Sequence, residues 1–502
     1  MLFNSVHFLI FFPIVVLLYY ILPQKIRWMW LLLASYFFYM SWNPKYALIL
    51  TAPIVITYLS GLLISSSNKV KDDNKRIFQR RLWVTLSLSL NLLILFFFKY
   101  FDFVITNINV VLSRVGIQVL SPSFDMLLPI GVSFYIFRAL CYTIDVYRNE
   151  IHAEKNLAKY ALFVSFFPAL IAGPIDRPKG LLAQIQEKHA FDYDKVKNGL
   201  LLMLWGYFQK VIIADNLSII VNNVYNDYSN YSGAQIVFAT VLFAIQIYCD
   251  FSGYTDIARG GAQVLGFRLM ENFKQPYFAI SIRDFWRRWH ISLSSWFRDY
   301  VYRPLSGYLI KRKWKTESIY LLSSLTVWVL TGLWHGASWN FVIWGGLHGA
   351  YLIIGDKIKP YKVRIYSKLK INTQPFSFKL GQILTTFILV NFAWIFFKAP
   401  GTRVAISIIK RMLLDFRPST LLDGSLLAMG LSPPQFFVIF ISVVVLLVGN
   451  LMQTKMNIRE ALSKQNAVFR WVVYYSLLIT FLILLIFIFG NFESTQFIYF
   501  QF

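Results

Sequence analysis

Charge is what this sequence has least of. Only 15% of its 502 residues are Asp, Glu, Lys or Arg, where a soluble globular chain carries about 25%. A water-facing surface cannot be covered at that ratio. The even apolarity of runs such as "LLILFFF" and "LITFLILLIFIFG" also excludes a transmembrane β-barrel, whose strands alternate apolar and polar residues. Cysteine is nearly absent. Cys141 and Cys249 make neither a disulfide framework nor a metal motif, and each lies in apolar surroundings as a free buried thiol. No long linker, low-complexity tract or internal repeat interrupts the chain, so it reads as one membrane-embedded domain over 1–502. Also missing are a GxSxG elbow, a Walker loop, an HExxH pair and a GxGxxG turn, and with them the chemistries those motifs carry.

What is present is hydrophobic length. The chain is 57% hydrophobic with a mean hydropathy of +0.54, and a spanning helix needs about 20 apolar residues. Candidate spans fall at 7–22, 28–43, 46–65, 82–99, 126–144, 158–175, 197–222, 234–251, 318–335, 338–355, 379–398, 435–453 and 471–490. The pattern predicts an all-α polytopic membrane protein. A net charge of +25 would point to nucleic acid in a soluble protein. Here Lys and Arg gather in short loops, which is the positive-inside bias and an attraction to lipid headgroups, so the expected partner is the bilayer and not nucleic acid.

The basic loops "QKIR", "NKVKDDNKRIFQRR", "DVYRNEIHAEKNLAK", "KRKWKTE", "DKIKPYKVRIYSKLK" and "KMNIREALSKQNAVFR" fit one orientation, with the N-terminus and the tail "FESTQFIYFQF" outside. The first 28 residues lack the basic start and cleavage site of a signal peptide and read as a first span. Lys398, Arg403, Lys410 and Arg411 fall outside against the trend, marking either a docking face or a misplaced loop. The middle, about 176–317, mixes charge, proline and short apolar pieces. Irregular backbone at membrane depth survives only when buried or lining a wet cavity, so re-entrant or interfacial elements are expected there.

One such element is Arg283–Tyr302, "RDFWRRWHISLSSWFRDYVY". At about 100° per residue, Arg283, Arg287, His290, Ser294 and Arg298 share a sector of about 80°, with Phe285, Trp289, Trp296 and Tyr300 opposite. The spacing predicts one amphipathic interfacial helix. Its cationic face is either an anchor of snorkelling arginines or the border of a wet entrance, where arginines hold anionic groups and an uncharged His290 accepts a proton. Asp250 and Asp256, six apart, do not share a helix face; pairing with Arg259 or Arg268 is the plain expectation.

The stretch 330–352, "LTGLWHGASWNFVIWGGLHGAYL", places two histidines in an apolar, glycine-rich setting. On one continuous helix, His335 and His348 would sit about 20 Å apart and about 140° out of phase, too far to share a metal, and no metal site is expected. Gly332 with Gly336, and Gly345 with Gly349, are small-xxx-small pairs that let helices approach closely. His348 reads as a hydrogen-bonded residue gluing two helices. His335 lies at the turn between two spans, beside Trp334, where an ionisable residue is a functional candidate by default. The two histidines at 290 and 335 suggest two mouths of one passage. With the other motifs missing, proton abstraction from a hydroxyl is the chemistry that remains; proton-coupled transport or flipping of an envelope precursor, or a purely structural subunit, stay open.

Several long segments occur in a familiar order: "LPIGVSFYIFRALCYTIDVYR" (128–148), "FFPALIAGPIDRP" (166–178), "YCDFSGYTDIARGGAQVLGFRLMENFKQPY" (248–277), "RDFWRRWHISLSSWFRDYVYRPL" (283–305), "LTGLWHGASWNFVIWGGLHG" (330–349) and the tail "FIYFQF". In these the chain resembles the membrane-bound O-acyltransferase (MBOAT) family, in its bacterial alginate O-acetyltransferase-like branch. The resemblance places the core motifs at 126–350 and further helices at 379–490. It implies a ring of transmembrane helices around a thin central passage, with re-entrant and interfacial helices. The family's invariant histidine maps onto His335, and a second polar position, elsewhere often Asn or Asp, onto His290. Arg283, Arg287, Ser294, Arg298, Trp334 and Asn340 are then candidates for holding donor or acceptor. The resemblance further implies acetyl-CoA as acyl donor with no bound cofactor, an extracytoplasmic glycan as acceptor, an SGNH-type partner protein, and a multi-pass position in the bacterial cytoplasmic (inner) membrane. Direct transfer ranks above a covalent relay through the protein.

Overall fold

Helix dominates, for the reason a bilayer imposes: without water to bond N–H and C=O groups, an apolar run satisfies its backbone internally. The computed structural model describes residues 1–117, 129–489 and 496–498. Among them, seven helices are long and apolar enough to cross a membrane: Tyr46–Ser67, Asp73–Arg114, Tyr193–Asn226, Gly233–Val264, Phe376–Lys398, Pro433–Gln453 and Ala467–Ile486. They fall on the expected spans 46–65, 82–99, 197–222, 234–251, 379–398, 435–453 and 471–490, the last of which ends outside the described residues. The helix Ala467–Ile486 buries none of its apolar window, as a helix facing lipid does. The chain is an all-α, multi-pass membrane protein.

The other expected spans come out differently. Those at 7–22 and 28–43 are the helices Val6–Ile21 and Arg27–Met40, of 16 and 14 residues. At about 1.5 Å per residue these are shorter than a hydrocarbon core of about 30 Å. Residues 126–128 lie outside the described residues; the run continues as the helix Val132–Tyr147, buried on nearly every side. The segment 158–175 is not a span. Its helix stops at Leu157–Ser165, resumes for Phe167–Leu170 and gives way to irregular backbone. Pro168 and Pro174 each lack the N–H a helix interior needs. The spans 318–335 and 338–355 are the helix Thr316–His335 and the first part of Trp339–Lys368.

Two compact units are distinguishable, residues 1–200 with 258–270, and residues 201–257 with 271–502. In the first, the irregular backbone after Leu170 raises an accounting problem, since buried carbonyls need donors. Arg138, fully buried on Val132–Tyr147, answers it. Its Nη1 donates to Val164 O at 3.0 Å, and its Nη2 to Ala169 O at 2.7 Å and Pro174 O at 3.1 Å. One guanidinium thus serves two carbonyls of the "FFPALIAGPIDRP" turn and that of Val164 just before it. Asp176, also in this turn, accepts from Met270 N at 3.0 Å.

In the second unit, Thr316–His335 and Trp339–Lys368 form a tight hairpin. A Cβ added at Gly332 would lie 2.1 Å from Phe341 O, and one at Gly345 would lie 2.2 Å from Trp328 O. No side chain fits at either point, so the small-xxx-small pattern does bring two backbones together. Two of the four basic residues that fell outside against the trend have partners. Lys398 donates to Asn222 Oδ1 at 2.7 Å, and Arg411 donates to Tyr231 O at 2.7 Å. Both therefore make contacts within the chain.

Replacing Arg138 with Met should leave three buried carbonyls unmet, at about 1–3 kcal/mol each. The expected outcome is loss of most detergent-soluble folded protein, read as a collapsed monodisperse peak in size-exclusion chromatography. A variant with wild-type yield and thermal stability would contradict the role assigned to the guanidinium.

Candidate functional site

The hairpin breaks where the sequence placed the functional turn. His335 is the last residue of its helix; Gly336 is extended (φ −164°, ψ 148°) and the next helix begins at Trp339. The short connection is closed by Ser338 N donating to Gly336 O at 3.0 Å. Because the chain turns back at once, the start of the second helix packs against the end of the first. The His335 ring is buried among Trp334 (centroids 5.0 Å), Trp344 (4.9 Å) and Phe397 (5.3 Å).

His290 arrives from a different element, and here the structure corrects the single amphipathic helix. The segment is two short helices, Ile282–Arg288 and Ile291–Phe297, followed by a π-helical turn Arg298–Tyr302. The break falls at His290, whose backbone is left-handed (φ 44°, ψ 54°). The kink turns the imidazole away from the arginine face. Arg283, Arg287 and Arg298 are exposed and Ser294 is half-buried, while His290 is fully buried. Arg283 pairs with Asp356, and Arg298 with Asp299 at 2.9 Å. Ser294 Oγ donates to Trp289 O at 3.4 Å.

Asn272 fixes the kink. Its carbonyl oxygen accepts from Ile291 N at 3.0 Å, and its Oδ1 accepts from Ser292 N at 3.1 Å. That caps the new helix as an N-cap side chain would. Burial pushes the His290 imidazole down to about 3, so the ring is uncharged at neutral pH.

The two imidazoles, expected at separate mouths, stand together instead. Their centroids are 6.2 Å apart. Trp334 packs beside both, 5.7 Å from His290, and Phe251 meets His290 edge-on at 4.6 Å. His348 shares the neighbourhood through Trp344, at 5.0 Å, and its Nδ1 accepts from Trp286 Nε1 at 3.2 Å. It joins two elements, as a gluing residue should. Asn340 points its amide elsewhere. It donates to Ala399 O at 2.6 Å and accepts from Thr402 Oγ1 at 2.7 Å, tying the start of its helix to the loop after Phe376–Lys398.

Behind Phe251 lies a buried ion cluster. Lys210 Nζ meets Asp250 Oδ1 at 2.5 Å and Asp215 Oδ1 at 2.7 Å. Asp250 therefore pairs with Lys210, not with the arginines expected for it, and Asp256 accepts from Gln209 Nε2 at 3.2 Å. The second oxygen of Asp250 accepts from Ile498 N at 2.8 Å. Phe497 is buried against Phe251 and Tyr254, at 5.4 and 4.9 Å. Phe497 and Ile498 thus dock beside the wall that touches His290. The signal for this cluster was legible: Lys210 interrupts the apolar run "GYFQKVIIAD". The aromatic walls had no such signal, because 18% of the chain is aromatic and nothing in the spacing singles out Trp344 or Phe397.

Among the described residues the ion pairs join Lys210 to two carboxylates, so the two halves are not equivalent. Lys210→Met leaves two buried anions facing each other and should cost about 3–5 kcal/mol. Asp250→Asn leaves a neutral Lys210–Asp215 pair, keeps an acceptor for Ile498 N, and should cost markedly less. Thermal unfolding of the two purified variants decides it; equal losses would contradict this charge accounting.

Known proteins are similar to this chain in sequence. A model of the membrane-bound O-acyltransferase family, MBOAT, matches residues 146–361. The chain is 37% identical over 402 residues to the probable alginate O-acetylase AlgI of Pseudomonas syringae pv. tomato, covering 80% of this chain and 73% of that protein. It is 34% identical over 447 residues to the peptidoglycan O-acetyltransferase of Helicobacter pylori, covering 82% and 80%. To the teichoic acid D-alanyltransferase of Bacillus subtilis it is 28% identical over 240 residues, covering 46% and 60%. Residues 290 and 335 both lie inside the matched family region, and with that coverage this chain belongs to the membrane-bound O-acyltransferase family and is an O-acyltransferase of the membrane.

Proposed function

We propose that this enzyme moves an acetyl group from a cytoplasmic acetyl-CoA thioester to hydroxyls of a cell-envelope glycan, in the inner membrane of a bacterium, with an SGNH-type partner completing delivery. The observation that carries the reading is the pairing of His335 with His290 inside an aromatic enclosure at a helix break. The names of the relatives support the acyl group and the acceptor class, while the donor, the partner and the membrane are part of the proposal. The relatives are a probable alginate O-acetylase, a peptidoglycan O-acetyltransferase and a teichoic acid D-alanyltransferase, names that support a polymer of the cell surface as acceptor. Exposed Arg283, Arg287 and Arg298 suit the donor's phosphates, since guanidinium forks match phosphate oxygens.

The chemistry follows from the side chains. An uncharged His335 takes the proton of the acceptor hydroxyl as its oxygen attacks the thioester carbonyl. The tetrahedral carbon then collapses, the C–S bond breaks, and the departing sulfur receives the proton from the imidazolium. General-base help of this kind contributes about 10²–10⁴-fold. His290, next to that ring and also uncharged, orients the hydroxyl or steadies the developing charge. Aromatic walls keep bulk water from competing as acceptor. The reaction requires a passage that brings thioester and hydroxyl to the same imidazole from opposite sides.

Purified wild-type protein, given acetyl-CoA and an oligosaccharide acceptor, should release free thiol. His335→Gln, which keeps a hydrogen-bonding side chain of similar reach, should lose about 10²-fold or more of that rate at unchanged yield and thermal stability. Full activity in this variant would remove His335 from the chemistry. Movement of a glycan precursor without thiol release would favour a transporter instead.

A further inference from the structure

A row of nitrogen donors without acceptors runs away from His335. Trp344, Trp394 and Trp289 are each fully buried, and the Nε1 of each meets no hydrogen-bond partner among the described residues. The same holds for His348 Nε2. Its Nδ1 accepts from Trp286, which leaves the proton of the neutral ring on Nε2. These rings are contiguous. Trp344 lies 4.9 Å from His335 and 5.0 Å from His348, Trp394 lies 5.8 Å from Trp344, and Trp289 lies 5.2 Å from Trp394. Both amide atoms of Asn391, one turn before Trp394, are likewise unmet.

Native interiors leave few polar atoms unsatisfied, because each one forfeits its hydration without compensation. Phenylalanine would fill much of the same space without that cost. Four N–H donors in one line of touching rings therefore point to acceptors brought by a ligand. The row contains no cation, which argues against a phosphate or carboxylate and for neutral carbonyl oxygens. Its walls are flat and apolar, suited to methylene groups. The line also leads somewhere. Trp289 is 6.0 Å from Tyr277 and 6.4 Å from Tyr248, and both tyrosines border a recess completed by Pro276, Leu446 and Asn450.

We propose that the N–H groups of Trp344, Trp394, Trp289 and His348 bind the amide carbonyl oxygens of the acyl donor's thiol-bearing arm, which lies along the indoles with its thioester at His335. This rests on the reading that His335 works on a thioester, and deepens it. The donor is recognised along its neutral arm as well as at its charged end.

The test varies the amides on both partners. Trp394→Phe and Trp289→Phe keep an aromatic ring and remove only the indole N–H edge. The substrates are acetyl-CoA, with two amides in its arm, the acetyl thioester of N-acetylcysteamine, with one, and S-ethyl thioacetate, with none. Each variant should raise KM for acetyl-CoA by about five- to thirtyfold, the equivalent of one lost buried hydrogen bond, with kcat nearly unchanged. The effect should shrink with one amide and vanish on S-ethyl thioacetate. Equal losses on all three substrates would reduce the indoles to packing and overturn the proposal, as would no loss on any.

Binding of a non-cleavable dethia analogue of acetyl-CoA, measured by calorimetry, separates this idea from the parent reading. Weaker binding in the variants than in the wild type supports the row even if no thioester is cleaved. Unchanged binding, or none to the wild type, overturns it whatever the chemistry at His335.

Discussion

Two backbones touching is the constraint from which the site follows. Where Gly332 faces Phe341 and Gly345 faces Trp328, the missing side chains let the helices Thr316–His335 and Trp339–Lys368 meet at main-chain distance. Dispersion and close packing, not water exclusion, hold helices together in lipid, so this contact is where the hairpin gains most. Its consequence is positional. A hairpin this tight needs only Gly336–Ser338 to reverse direction, and the reversal leaves His335 on the end of one helix within ring contact of Trp344 on the next. A bulkier residue at either glycine would push the helices apart and carry the imidazole away from its wall.

Buried polar groups elsewhere obey one rule in three forms. Arg138 spends its guanidinium on carbonyls that a broken helix leaves open. Lys210 neutralises carboxylates that would otherwise stand in an apolar interior. Asn272 supplies the donors' missing acceptors where the chain restarts after His290. Each lies at an interruption of regular helix or beside one, because interruptions are where internal hydrogen bonding fails. At each of these three places a buried polar side chain meets what the interrupted helix leaves open.

Much of this was legible in the residues. Long apolar runs located the seven helices able to cross, since length and composition decide that, although Asp73–Arg114 and Gly233–Val264 extend well beyond the expected 82–99 and 234–251. The glycine pairs foretold the close hairpin, and the turn at His335 followed from the polar ring beside "GAS" between two apolar runs. What failed was continuity. The periodicity of Arg283–Tyr302 is a genuine 3.6-residue pattern, yet it is interrupted by one left-handed residue that no periodicity reveals. Once the kink is present, His290 leaves the arginine face and joins His335. The same failure hid the break at Phe166, where the apolar character of 158–175 outweighed its prolines. Partner choice at Asp250 was hidden for another reason: Lys210 is forty positions away, and only the packing of two helices brings it near.

The left-handed backbone at His290 reaches beyond geometry. Few side chains tolerate that region cheaply; glycine does, and among the rest asparagine, aspartate and histidine are the ones enriched there. The family resemblance places Asn or Asp at this same position in other members. That narrow alphabet has a conformational origin: histidine, asparagine and aspartate are the side chains that accept this left-handed bend most readily.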